Sequence, residues 1–536
     1  MKNIRKIGYT LLFMGMALSL QFCKDLSEVN VNPNEVTLEK ANANLIMSTV
    51  LTQTAKAYNE LGYGDAAGVV QHTQKDAWFD GHNNYDWGPR DWGSYYDILR
   101  DNQAVYEKAV QEDLQFHMGV SLVMRAFLFA QIADLWGDAP YTQALKGNLG
   151  GVDNLLPSYD SQEAIYKGVI ADLKEASGIF AQSSDAFKEV LADADVYYGG
   201  DTKKWQKFAN SLLLRYLMRV SEKMDVQSDF VSVAQSGAII TSNGDNALLH
   251  YLGNTTEDAW PANNVFDASG SNFRRIRPAR TLIEVLRARE DPRMAVWFAK
   301  VEIPTQFSTT IPHNSEIDGI RYFNPDSVDT GAVNTNLDYV GLPTQMSLPS
   351  GYNYNPTPGQ TSNNKYVSYL NDIYREANGP LLNARLMTAT EVNFLLAEAA
   401  WKGWLSDAEG YYNKAIMASL EEWGVEEAST YLVQDMVEFD GSLEQIMQQK
   451  WIASWTAAQE AWFDYRRTAL PELETGQYAP RPVLPLRFIY GSNELNFNPN
   501  NAQTAIDRLE ATTFSQSEKN SSWSKTWLIA GTGKPF

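Results

Sequence analysis

The chain has 536 residues and a single cysteine, Cys23. One thiol cannot close an internal disulfide, so no disulfide framework holds this fold. Histidine is almost as scarce. His72, His82, His117, His250 and His313 show no metal-ligand spacing, and none pairs with a nearby Glu as a zincin helix requires. There is no Gly-x-Ser-x-Gly elbow, and Gly531-Thr532-Gly533-Lys534 lacks the following helix that a phosphate loop needs. Asp193, Asp195 and Asp201 lack the loop spacing of an EF-hand. Positive charge is also short, with 44 Lys and Arg against 65 Asp and Glu and a net charge of −21. No basic stripe offsets that deficit, which excludes nucleic acid as a partner. Beyond the N-terminus, no stretch approaches the length of a membrane-spanning helix.

What the chain does have begins with an export leader. Lys2, Arg5 and Lys6 precede an apolar run from Ile7 to Leu20, which reads as a secretory signal over residues 1–22. Cys23 follows directly. A lone exported cysteine at this position points to acylation, which would hold the protein at a membrane face without a spanning helix. Phe22 departs from the small residue usual before a lipidated cysteine, and the competing reading is an ordinary cleaved signal with an incidental thiol. Residues 23–40, with Asn32-Pro33-Asn34, read as a polar tether.

Helical periodicity dominates the rest. It predicts helices over 41–61, 94–112, 114–136, 161–182 and 203–224. The sharpest pair is Thr388–Gly403, with Val392, Leu395, Leu396, Ala399 and Ala400 on one face, and Asp407–Trp423. The small and aromatic residues of that pair resemble a tetratricopeptide hairpin. A further single helix is expected over 443–468. Between these, 301–380 loses periodicity and collects Asn, Pro, Gly and Tyr, and 479–536 looks similarly irregular.

Aromatics carry the strongest functional signal. Trp78, Phe79, Tyr85, Trp87, Trp92, Tyr95 and Tyr96 fall within nineteen residues, where about two rings would match the average composition. Trp92, Tyr95 and Tyr96 have helical spacing and are assigned to the core. Trp78, Phe79, Tyr85 and Trp87 stand among loop formers, where rings can stack on a sugar face or on peptide side chains. Asp76, Asp80, Asn83, Asn84 and Arg90 could add directional hydrogen bonds. A second candidate patch holds Trp260, Asn263, Asn264, Phe266, Asn272, Phe273 and Arg274, and a third holds Tyr339, Tyr352, Tyr354 and Tyr366. Asp134 and Asp138 read as structural, and Arg466-Arg467 after Asp464 as an ion-paired brace. No cofactor, metal or catalytic set is indicated.

Several stretches, in order, resemble the SusD/RagB-like nutrient-binding outer-membrane lipoproteins of Bacteroidota. They are Asn30-Val31-Asn32-Pro33-Asn34; Arg125-Ala126-Phe127 with Asp134-Leu135-Trp136-Gly137-Asp138-Ala139-Pro140-Tyr141; Tyr198-Gly199-Gly200-Asp201 with Trp205 and Phe208-Ala209-Asn210; Asp291-Pro292-Arg293-Met294; Thr390-Glu391-Val392-Asn393-Phe394-Leu395-Leu396-Ala397-Glu398-Ala399; and Gln449-Lys450-Trp451 with Phe463-Asp464-Tyr465-Arg466-Arg467. The resemblance implies a mainly α fold: tetratricopeptide-like hairpins in a right-handed helical body with a large irregular loop-rich region. It also implies capture of oligosaccharides or peptides for a SusC-like TonB-dependent transporter. Lys24-Asp25 resembles the signal that sends such lipoproteins to the cell surface. The organisation expected is one unit. Its parts are the signal (1–22), the lipid-anchored tether (23–40), a helical body (41–300) with the aromatic loop at 76–92, the loop-rich segment (301–380), hairpins (381–470) and an irregular end (471–536). Two other classes stand beside it: a structural or adhesive lipoprotein without a small ligand, and an exported hydrolase.

Overall fold

Helical hairpins build the body, and short strand pairs join their ends. The computed structural model describes residues 42–77, 80–358, 363–425 and 428–536. The chain divides into two units, Met1–Asn42 and Ala43–Phe536, and the fold described is that of the second. The signal, Cys23 and the tether lie outside the described residues.

Helix α1 (Ala43–Tyr63) buries Met47, Val50, Leu51, Thr54, Ala55 and Tyr58 along one stripe, the spacing of an amphipathic helix. A short helix α2 (Asp65–Val69) follows. Helices α3 (Gly93–Glu112) and α4 (Gln115–Trp136) form a hairpin. Asp113 turns the chain there in the left-handed conformation, with φ 55°, and its N–H donates to Ala109 O. Helix α5 (Gln162–Phe180) packs on α4, and α6 (Thr202–Val220) packs on α5. Ser161 caps α5 by accepting from Ala164 N, and Asp201 caps α6 by accepting from Lys203 N and Lys204 N. The second group comprises α7 (Ala389–Trp401), α8 (Ala408–Glu422), α9 (Leu443–Ala453) and α10 (Ala458–Thr468). The fold is mainly α, and its hairpins are tetratricopeptide-like.

Helix α4 corrects one expectation. It is long and apolar enough to cross a membrane, but 89% of its apolar window is buried inside the fold. Its apolarity serves a helix surrounded by protein on all sides. At Gly119 an added Cβ would stand 2.6 Å from the Phe180 ring, so glycine lets α4 and α5 meet. Helix 443–468 is corrected too. Thr456 takes a positive φ of 68° and splits it into α9 and α10. A periodic apolar pattern continues through 454–457, so periodicity alone did not mark the break.

The segments without helical periodicity also contain regular elements. Strands β5 (Thr305–Phe307), β6 (Ser315–Ile317) and β7 (Ile320–Phe323) form a three-stranded sheet with β7 at the centre. Near the C-terminus, α11 (Ser492–Phe497) and α12 (Pro499–Asp507) are helical. Pro499 stands at the first position of α12, where its missing N–H is not needed.

Three strand pairs connect distant parts of the chain. Strand β1 (Thr73–Lys75) lies antiparallel to β4 (Ile276–Pro278), with Lys75 opposite Ile276. Strand β2 (Pro89–Arg90) runs parallel to β9 (Ile489–Tyr490), and β3 (Ala247–His250) antiparallel to β8 (Asn383–Met387).

Buried ion pairs brace the helices at the centre of the body. Arg215 Nε of α6 donates to Glu391 Oε1 of α7 at 2.7 Å, and Arg219 bonds Asp134 of α4 and Glu460 of α10. Arg466 donates to Asp134 O and Leu486 O, while Arg467 bonds Glu398 and Asp464. Asp138 accepts from Gln162 N at 2.7 Å, joining the end of α4 to the start of α5. These contacts give Asp134, Asp138, Arg466 and Arg467 the bracing roles read for them.

Candidate functional site

Pairing of β1 with β4 and of β2 with β9 brings four chain segments around one cleft of about 490 Å³, a size suited to a small ligand. The C-terminal end of α1 contributes Glu60 and Tyr63, the turn into α2 contributes Asp65, and β1 contributes Lys75. Arg90, Asp91 and Tyr95 come from β2 and the start of α3. Asn272 and Arg275 come from the segment before β4, and Trp136 and Phe488 form apolar lining.

The cleft joins the first two candidate patches at Arg90 and Asn272. Arg90 pairs with Asp65, lies over the Phe488 ring at 5.3 Å, and accepts through its carbonyl from Trp136 Nε1 at 3.2 Å. The core assignment for Tyr95 needs correction. Trp92 enters the core, whereas Tyr95 is only half-buried and lines the cleft, with its ring 6.0 Å from Trp136. Burial pushes the Tyr95 hydroxyl pKa up, and the Glu60 carboxylate adds to that.

The other candidate residues are placed as follows. Trp78 and Phe79 lie outside the described residues. Asp80 is exposed, and Asn84 is half-buried. Asn83 is buried and copies a strand partner, accepting from Lys75 N and donating to Lys75 O, both at 2.8 Å. Tyr85, with φ 61°, is buried and accepts from Gln345 Nε2. Trp87 is half-buried between Phe488 and Trp462. Asp76 is buried against Arg277 at 3.1 Å.

In the second patch, Trp260 is fully buried, edge-on to Tyr63 at 5.1 Å and to Tyr251 at 5.6 Å. Phe273 is fully buried too, stacked on Tyr369 with the Arg375 guanidinium 4.3 Å from its ring. Packing partners far away in sequence thus draw both rings inward, where they offer no face to a ligand. Arg274 Nη2 donates to Ser269 O, and Asn264 N donates to Arg375 O. In the third patch, Tyr352 and Tyr366 are buried, Tyr366 beneath the Arg321 guanidinium at 4.4 Å, and Tyr354 is exposed.

The sequence reading missed Glu60, Asp65, Lys75, Asp91, Arg275 and Phe488. Only the pairing of β1 with β4 and of β2 with β9 brings them together, and no local motif carries that information. Asp195 is engaged within the protein, accepting from Gly200 N and Trp205 Nε1, each at 2.8 Å. Among the described residues, no group of three or more His, Cys, Asp or Glu is placed to hold a metal.

These features define a class of tetratricopeptide-like helical proteins carrying a cleft lined by rings and charges. Within that class, the chain belongs to the SusD-like family described as starch-binding and associating with the outer membrane, whose model matches residues 33–491. Solved structures agree in fold. A SusD homolog from Bacteroides fragilis is 23% identical with a TM-score of 0.68, covering 90% of this chain and 99% of its own. A SusD-like protein from Bacteroides thetaiotaomicron is 22% identical with a TM-score of 0.67, covering 91% and 99%. A chitin-binding SusD homolog from Flavobacterium johnsoniae is 19% identical with a TM-score of 0.68, covering 90% and 99%. No curated protein sequence matches the chain.

Proposed function

We propose that this is a non-catalytic nutrient-binding lipoprotein of the cell surface. Acyl chains on Cys23 anchor it to the outer membrane, its cleft captures an oligosaccharide, and a SusC-like TonB-dependent transporter receives the ligand. The observation that carries this reading is the cleft itself: the half-buried Tyr95 ring stands beside carboxylates and cations that can bond sugar hydroxyls. A glycan is favoured over a peptide because the family description names starch and a structural relative binds chitin. Affinity from one stacking face and a few hydrogen bonds is modest, which suits a protein that must release its ligand.

The test is titration of the purified protein with mixed oligosaccharides and, separately, with a protein digest. Binding is followed by Trp fluorescence and calorimetry. Saturable glycan binding that weakens about tenfold in Tyr95→Ala supports the reading, since losing one ring contact costs about 1 kcal/mol or more. Binding of the digest alone transfers the site to peptides. Silence from both leaves the structural or adhesive lipoprotein.

A further inference from the structure

Three cationic side chains face the cleft, and they are not equally satisfied. Arg90 has Asp65 as its partner. Among the described residues, Lys75 and Arg275 form no ion pair, although both line the same cavity. Antiparallel pairing of β1 with β4 brings them together, with Asp76 N donating to Arg275 O at 3.0 Å just beyond the ladder. Arg275 is held in place by its own segment: Nε donates to Ser271 O at 3.1 Å and Nη2 to Ser271 Oγ at 3.0 Å. Its Nη1 makes no bond among the described residues and remains available to a ligand.

The chain has a net charge of −21, so two cations with no ion-pair partner among the described residues, in one half-buried cleft, are conspicuous. A half-buried ammonium loses hydration that only an anion or several acceptors can replace. Burial lowers the proton affinity of Lys75, and the Arg275 and Arg90 charges push it the same way while Asp65 opposes them. Of the cleft carboxylates, Asp91 is engaged locally, accepting from Gly93 N at 2.7 Å and from Asn493 Nδ2. Glu60 forms no ion pair among the described residues and stands near Tyr95, where it can accept from sugar hydroxyls.

We propose that the ligand is an acidic oligosaccharide whose uronic-acid carboxylate binds against Lys75 and Arg275, with a sugar face toward Tyr95 and hydroxyls toward Glu60. This rests on the reading of the cleft as the ligand site and adds the charge class of the ligand. A carboxylate there receives charge-assisted hydrogen bonds from the ammonium and from the free guanidinium nitrogen. A neutral glucan leaves both cations without an anion.

The full-length protein is titrated by calorimetry with an oligogalacturonate and with maltose- and chitin-type oligosaccharides of equal length, at about 50 mM and about 500 mM salt. The oligogalacturonate is expected to bind about tenfold or more tightly than the neutral sugars, and only its affinity should fall with salt. Lys75→Gln and Arg275→Gln, each checked for native circular dichroism, are each expected to cut that preference about tenfold and to flatten its salt dependence. Neutral sugars binding as tightly as the acidic one, with loss in Tyr95→Ala and none in Lys75→Gln, would overturn the acidic-ligand inference and keep the cleft as a glycan site. Binding of neither sugar class overturns both, as does binding of a protein digest alone.

Discussion

The ring of Trp87 meets Phe488 edge-on, with centroids 4.9 Å apart and planes at 90°. That contact fastens the aromatic loop to the strand pair β2–β9, and Trp462 of α10 closes on Trp87 at 5.7 Å. Trp87 therefore supports the cleft from behind, while Phe488 and Arg90 face it.

Replacing Trp87 by Ala is expected to lower stability by about 3 kcal/mol, the scale of a lost large aromatic in a packed site. Any loss of ligand binding would then accompany a lower unfolding midpoint. Trp87→Phe, which keeps a ring against Phe488, should recover more than half of the stability. Urea denaturation of the three proteins measures this, and equal midpoints for the wild type and the Ala variant would remove the supporting role.

Glu398 and Arg467 make a second such contact, deeper in the body. The Arg467 guanidinium bonds both oxygens of Glu398, with Nη2 2.6 Å from Oε2, and both side chains are almost wholly buried. Removing Glu398 leaves Arg467 to share Asp464 with Lys450, and removing Arg467 leaves the Glu398 charge in a medium that cannot solvate it. Glu398→Gln is expected to cost about 3 kcal/mol, whereas Glu398→Leu combined with Arg467→Met should cost much less. Denaturant midpoints of the single and double variants give the comparison.

The helices were legible because their information is local. Val392, Leu395, Leu396 and Ala399 recur at helical spacing, and Asp407 marks the start of the partner helix, capping it by accepting from Gly410 N. The family strings were legible for a related reason, because residues such as Asp134 and Arg467 belong to ion pairs that brace the helices. The cleft was legible only in part. Arg90 and Asn272 stand out beside rings in loop-like sequence, yet Trp260 and Phe273 in similar surroundings are core residues. Their burial depends on Tyr63, Tyr251 and Tyr369, which no local pattern associates with them. Lys75 and Arg275 carry no local signal at all, since only the β1–β4 register makes them neighbours.

The anchoring proposed for Cys23 has a direct readout. With lipid attached, the protein should partition with the membrane fraction, because two or more acyl chains bind a bilayer almost irreversibly on the time of a fractionation. Cys23→Ser should move most of the protein to the soluble fraction and leave oligosaccharide affinity unchanged. Membrane retention of the serine variant would show that another contact holds the protein there.

Three buried histidines, His72, His82 and His117, make stability depend on mildly acidic pH, and burial holds the His82 pKa well below its usual value. His72 donates from Nε2 to Trp451 O at 2.9 Å, and His117 Nε2 bonds Asn44 Oδ1 at 3.0 Å. In each ring the buried Nδ1 has no hydrogen-bond partner among the described residues, so protonating it would place a cation and an unmatched donor in the interior. Burial lowers the pKa of His72 to about 3, against the opposing bond to Trp451, and that of His117 to about 4, against the opposing charge of Glu112. Below about pH 6.5 the unfolded chain takes up these protons and the folded chain does not, so stability falls as pH is lowered from there toward 4. Each histidine contributes a slope of about 1.4 kcal/mol per pH unit in that window. Urea unfolding at pH 7, 6, 5 and 4 should show the decline, and His117→Gln should remove about a third of the slope that the three histidines produce. A slope unchanged in His117→Gln would mean that His117 takes its proton in the folded state as readily as in the unfolded chain.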